Sequence, residues 1–256
     1  MSKVLKDQDN FFAILFGVFT MYFALLVLQI IMLYINYVCV LKACFKRIND
    51  NLLHIQKFVI NDMKPGASNV IRHTQRNQFL LIELRVLKKQ HLMISDAVQM
   101  LNMIFSLQLL AAVVLYFLVL TFDLYFFAFG WQRVFIGMDW HILDVFLTSL
   151  THNIFQIILI VWVCETGKNQ AQKIGTTIHD LLNSTNDEKM KSELQLFSLQ
   201  ILHCKNTFSV KGLTIDATLL TALVGNITTY FLILIQFLNI SHSCDKRTTV
   251  NITESN

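Results

Sequence analysis

At 256 residues the chain is 54% hydrophobic and only 15% charged, with a mean hydropathy of +0.52. It is too apolar and too poor in charge for a soluble domain of this size, so a bilayer is its natural solvent. The formal net charge of +4 bears on membrane topology and not on nucleic-acid binding, because Lys and Arg collect in the loops that stay in the cytoplasm.

One proline and eight glycines favour helices, whose backbone groups are satisfied within each span, over barrel strands. The fold class expected is an all-α membrane protein. Lys3 and Lys6 precede an apolar run far longer than the roughly 7–15 residues of a signal-peptide core, so the first segment reads as a retained span. Stretches without Asp, Glu, Lys or Arg cover residues 11–41, 97–122, 145–164 and 217–239, each long enough to cross about 30 Å of hydrocarbon. The first would reach about 46 Å as a helix, which predicts that it protrudes from the membrane.

Sixteen of the 21 Lys and Arg lie in the two segments that join the first span to the second and the third to the fourth. The segment joining the second and third spans has only Arg133. The positive-inside bias then puts the two basic segments in the cytoplasm and both chain ends outside.

The organisation expected is a first span within 1–41, cytoplasmic helical extensions over 42–96 and a second span over 97–122. An extracellular aromatic loop follows over 123–144, then a third span over 145–164 and a cytoplasmic helical region over 165–212. The last span occupies 213–239 and an extracellular tail 240–256. Pro65-Gly66 marks a turn within the first basic segment.

Leu52, Ile55 and Val59, then Phe79, Ile82 and Val86, then Leu194, Phe197, Ile201 and Cys204 recur at the spacing of an apolar helical stripe. Either a helical bundle below the membrane or amphipathic helices on the inner leaflet would bury them. On the tail, Asn251-Ile252-Thr253 is a candidate glycosylation site, whereas Asn239-Ile240-Ser241 lies close to the membrane.

The sequence has no GxSxG, HExxH, P-loop or GxGxxG pattern, so neither an enzyme nor a cofactor is expected. Cys39, Cys44, Cys164, Cys204 and Cys244 form no CxxC pair, and no disulfide framework or metal site is expected. Polar residues inside spans are more informative, because hydrocarbon disfavours them unless they meet a partner or a wet cavity. His152, Asn153 and Gln156 in the third span are candidates for a ligand pocket or polar path. Bonding to a neighbouring helix remains the alternative. Asn102, Ser106 and Gln108, with Thr20, Tyr22 and Gln29, are weaker candidates. In the last span Asn226, Thr229 and Gln236 fall broadly on one helical face, which suits a pore wall and equally suits helix–helix bonding.

The run Thr229-Tyr230-Phe231-Leu232-Ile233-Leu234-Ile235-Gln236-Phe237 resembles the T-Y-(five mostly apolar residues)-Q-F signature in the last helix of insect gustatory receptors. Gly212, Ile215-Asp216, Leu219-Leu220, Val224-Gly225, Ile227-Thr228, Phe197-Ser198-Leu199-Gln200 and Phe208 are also similar to that family's pattern. The resemblance implies a seven-helix receptor with its C-terminus outside, assembled as a homo- or hetero-tetrameric ligand-gated cation channel. The four spans here would correspond to the fourth to seventh helices, which makes an N-terminally truncated chain the expectation.

By the same resemblance Gln236 and Phe237 stand at the gate of a pore lined by the last helices, Thr229 and Tyr230 belong to the motif, and the cytoplasmic extensions anchor the subunits. A Phe ring closes a narrow pore by dewetting, and a Gln amide helps to hydrate a passing cation. The partners implied are a small-molecule tastant, permeating cations and membrane lipid. Members resembling sugar receptors tend to carry Glu after Thr-Tyr, where this chain has Phe231, which argues against a sugar. The alternatives are a G-protein-coupled receptor fragment, disfavoured by spans free of proline, and a four-span scaffold, which commonly has both termini inside.

Overall fold

The computed structural model describes residues 2–62, 70–134 and 140–253, and their side chains apart from 2–10, 13, 61–62, 70–75, 127–134, 140–143, 238–239 and 241–253. Among the described residues the chain is almost wholly helical. The helices are α1 (Ser2–Asp62), α2 (Val70–Val134), α3 (Trp140–Ser184), α4 (Glu188–His203) and α5 (Ala217–Thr253). Two short strands, β1 (Ser209–Val210) and β2 (Leu213–Thr214), pair as a hairpin between α4 and α5. α1, α2, α3 and α5 each contain a stretch long and apolar enough to cross a membrane, and the chain is an all-α membrane protein.

At 61 residues, α1 is about 90 Å long at 1.5 Å per residue, so much of it lies beyond any bilayer. Helix also occupies 123–134 and 140–144, within the segment expected as an aromatic loop, and 240–253 of the expected tail. The Pro65-Gly66 turn and the side chain of Asn251 lie outside the described residues.

The fold divides into two units. The first comprises Met1–Leu109 and Val163–Gly212, and its packing follows a period of seven. On α1, Ile31, Val38, Phe45 and Leu52 are buried at every seventh position, with Tyr34, Ile48 and Ile55 beside them. On α2 the buried series is Leu84, His91, Val98 and Phe105, and on α3 it includes Ile174 and Leu181. A straight helix has 3.6 residues per turn, so a heptad repeat keeps one seam facing its partners only if the helices wind gently around each other.

Polar contacts fix the register of this seam. Thr177 donates to Asn49 Oδ1 at 2.7 Å, the Tyr34 hydroxyl meets Cys164 Sγ at 3.4 Å, and Asn77 donates to Asp187 Oδ2 at 3.1 Å. Asp187 also starts α4 by accepting from Lys189 N–H at 2.9 Å, an N-cap that satisfies a backbone donor left free at the helix end. Beside it, Arg85 Nε and Lys88 Nζ converge on the Glu193 carboxylate at 2.8 and 2.7 Å.

The stripes read from sequence have different fates. Leu52, Ile55, Leu194 and Phe197 are buried, whereas Phe79, Ile82 and Val86 are exposed and Leu80, Leu84 and Leu87 are buried in their place. α2 carries a second apolar heptad series, Phe79, Val86, Met93, Met100 and Leu107, all exposed. Periodicity identifies a shared face but not which of two apolar faces acquires a partner.

The second unit comprises Leu110–Trp162 and Leu213–Asn256. Its buried residues include Ala112, Tyr116 and Leu120 on α2, Ile157 and Ile160 on α3, and Leu219, Leu223 and Ile227 on α5. Phe126 stacks on Phe146 with ring centroids 5.6 Å apart.

Candidate functional site

α5 begins where the Asp216 side chain accepts from Thr218 N–H at 3.1 Å and from the Thr218 hydroxyl, a cap on the first turn. From there Leu219, Leu223 and Ile227 recur every fourth residue and are buried. Thr218, Gly225, Thr229 and Gln236 fall at i, i+7, i+11 and i+18, roughly the opposite side of a 3.6-residue turn, and all four are exposed. Asn226 borders this stripe and is also exposed. The sequence puts Asn226, Thr229 and Gln236 on one face and shows Gly225 within the family pattern; the seven-residue spacing adds Thr218 and Gly225 to that side. A Cβ added at Gly225 would meet nothing within 4 Å, so the middle of the stripe is flat and open.

The hydroxyls on this helix do not stand free. Thr228 and Thr229 donate to the carbonyls of Val224 and Gly225 at 2.8 and 2.9 Å, which lets a threonine sit in an apolar span without an unsatisfied hydroxyl. Of the four motif residues, Tyr230 packs edge-on against Phe117 of α2 with centroids 5.6 Å apart. Gln236 is exposed and Phe237 is 68% exposed, so both have surface available for contacts beyond this chain.

The second candidate group lies between α2 and α3 in the same unit. Gln156 is buried and accepts from the Tyr116 hydroxyl, while its amide nitrogen lies 2.6 Å from His152 Nε2. One turn back, Asn153 donates to Ser149 Oγ at 3.3 Å, and Ser149 donates to Asp123 Oδ2 at 2.9 Å. The structure therefore joins His152 and Gln156, leaves His152 exposed, and places Asn153 in a neighbouring chain of bonds. Tyr116, Asp123 and Ser149 were not singled out in the sequence. Asp123 was the available signal, as a carboxylate directly after an uncharged span.

An apolar cavity of about 300 Å³ in this unit is bordered by Leu120, Leu150, Ile154, Ile157, Leu223 and Ile227 among others. The polar groups of α3 do not line it. The second unit thus holds a polar ladder and a separate greasy recess, and α5 contributes to the recess.

Residues 2–238 match the family model described as 7tm chemosensory receptor. Two Drosophila melanogaster proteins with the provisional names gustatory receptor 28b and gustatory receptor 28a are similar to the chain. The first is 32% identical over 157 residues, covering 57% of this chain and 32% of that protein. The second is 26% identical over 174 residues, covering 60% of this chain and 35% of that protein. The chain spans about a third of the length of these curated relatives. With the match running almost end to end across the four helices that contain a stretch suited to a membrane, the chain belongs to the 7tm chemosensory receptor family.

Proposed function

We propose that the chain is a gustatory receptor subunit that works, in a homo- or hetero-tetramer of the plasma membrane, as a ligand-gated, non-selective cation channel. Its ligand is a small-molecule tastant, and α5 faces the pore. The observation that carries this reading is the two-sidedness of α5: Leu219, Leu223 and Ile227 are buried, while Thr218, Gly225, Thr229 and Gln236 lie exposed on a mainly small and polar side that also carries Leu232. A helix facing lipid on its free side has no use for such a stripe, whereas a wet pore wall requires one.

In this reading Gln236 and Phe237 form the narrow point, with the Phe ring excluding water in the closed state and the Gln amide coordinating the passing cation. Thr229 and Tyr230 hold the motif, Thr229 through its carbonyl bond to Gly225 and Tyr230 through Phe117. The ladder of His152, Asn153 and Gln156 serves as a polar path near the ligand, and residues after 239 lie outside the cell, where Asn251 accepts glycan.

The test is electrical. In a conducting receptor that carries this segment, Gln236→Ala shifts the relative permeability of monovalent cations and Phe237→Ala raises the current without ligand. Unchanged selectivity and unchanged leak in both variants overturn the pore assignment. Epitope labelling of the tail in intact cells tests the orientation, and a cytoplasmic tail would favour a receptor of G-protein-coupled topology.

A further inference from the structure

The segment that leads from α4 into α5 is held by Asn102 of α2 and packs against Gly167 of α3, both in the first unit. On α2, Asn102 spans two backbone groups of the linker, with Nδ2 donating to Thr207 C=O at 2.8 Å and Oδ1 accepting from Ser209 N–H at 3.3 Å. A single amide presenting a donor and an acceptor in this way mimics an adjacent strand. Between those two residues Phe208 is buried against Gly167 of α3. A Cβ on Gly167 would lie 2.8 Å from Phe208 Cε2 and 3.3 Å from Val38 Cγ1, so the absence of a side chain there is what admits the ring.

The hairpin that follows is short. Lys211 and Gly212 take φ of +45° and +89°, the left-handed pair that a two-residue hairpin loop requires and that glycine adopts without penalty. Val210 before the loop and Ile215 after it are buried, and α5 starts at Ala217. Long flexible loops absorb displacement; a short hairpin fixed on its approach passes it on.

We propose that Asn102 is a positioning residue that ties the approach to α5 to helix α2, so that a displacement of α2 is delivered to the start of α5. This deepens the pore reading of α5 and names the contact through which that helix is moved. Both groups of the Asn102 amide are spent on the backbone of the linker. Ser106, one turn further on, bonds the Met103 carbonyl of its own helix.

The experiment uses the chain in lipid nanodiscs. Hydrogen exchange at residues 205–214 reads the clasp, and the rate at which a thiol reagent modifies a cysteine introduced by Gln236→Cys, in a background with Cys39, Cys44, Cys204 and Cys244 changed to Ser, reads the far end of α5. Asn102→Leu removes both bonds and is expected to raise exchange at Ser209 about tenfold, the effect of losing one good hydrogen bond, and to change the modification rate severalfold. Asn102→Asp keeps the acceptor for Ser209 N–H, loses the donor to Thr207, and is expected to fall between the two; it carries the test if the leucine variant does not fold.

Raised exchange with an unchanged modification rate would make the clasp a local brace and overturn the proposal. Unchanged exchange would overturn the clasp itself. Neither readout involves current, so an α5 that follows Asn102 but conducts nothing would sink the pore reading while leaving the coupling in place.

Discussion

The hydroxyl of Tyr116 donates to the side-chain carbonyl of Gln156, and this buried hydrogen bond ties α2 to α3 within their apolar stretches. Tyr116→Phe leaves the Gln156 oxygen without that donor, and Gln156→Leu leaves the tyrosine hydroxyl without its acceptor. Each single change should destabilise the chain by about 1 kcal/mol, the usual scale for such bonds between membrane helices. The double variant should lose less than the sum, because no orphaned group remains. Denaturant titration in mixed micelles of the four chains gives the coupling, and strict additivity would show that the bond contributes nothing.

Leu84 and Val86 lie two residues apart on α2, the first 1% and the second 48% exposed. Leu84→Ala opens a cavity in the heptad seam and should cost roughly 2–4 kcal/mol. Val86→Ala should stay within about 0.5 kcal/mol in the isolated chain. Thermal unfolding in detergent separates them; similar losses would mean that the second apolar stripe is covered within the monomer.

Lys88 foremost, with Arg85, holds the Glu193 carboxyl below its ordinary range through direct hydrogen bonds. A carboxyl whose folded pKa is depressed stabilises the fold above its unfolded pKa and loses that contribution as pH falls through the folded value. Glu193→Gln should therefore weaken the attachment of α4 to α2 at neutral pH, by about 1 kcal/mol or less, because water still reaches all three side chains. The difference from the parent chain should vanish below the glutamate range. Melting curves from neutral pH down to about pH 3 check this, and a gap that persists in acid would assign the loss to packing.

Gly167→Ala places a methyl group against Phe208. Overpacking of this kind costs about 1–3 kcal/mol, and here it should also free the linker. Phe208→Leu in the same chain should recover part of the loss by vacating the space. Proteolysis at the Lys211 site reports it directly, with faster cleavage expected in Gly167→Ala and slower cleavage in the double variant. Equal rates in all three chains would show that the notch does not hold the ring.

Much of the fold was legible because a bilayer imposes it. Four charge-free stretches, few helix breakers and basic residues gathered in two segments allow little besides long helices. The polar side of α5 was legible in part, from Asn226, Thr229 and Gln236. The seam in the first unit was less so: Leu52, Ile55, Leu194 and Phe197 are buried as their periodicity predicts, but Phe79, Ile82 and Val86 are not, because α2 has two apolar stripes and only one meets α1, α3 or α4. Asn102 stood among the weaker polar candidates, and sequence gave no sign that its partners would be backbone groups more than a hundred residues away.

By itself the sequence determined the solvent, the class and the helix that bears the family signature, since hydropathy, charge placement and a nine-residue motif are properties of the chain order alone. Tertiary structure decided which faces are covered and which polar groups are spent. Gln156 is committed to Tyr116, and Asn102 is committed to the linker before α5. The physical reason is that burial and hydrogen bonding are relations between distant segments, and local periodicity supplies only one side of each.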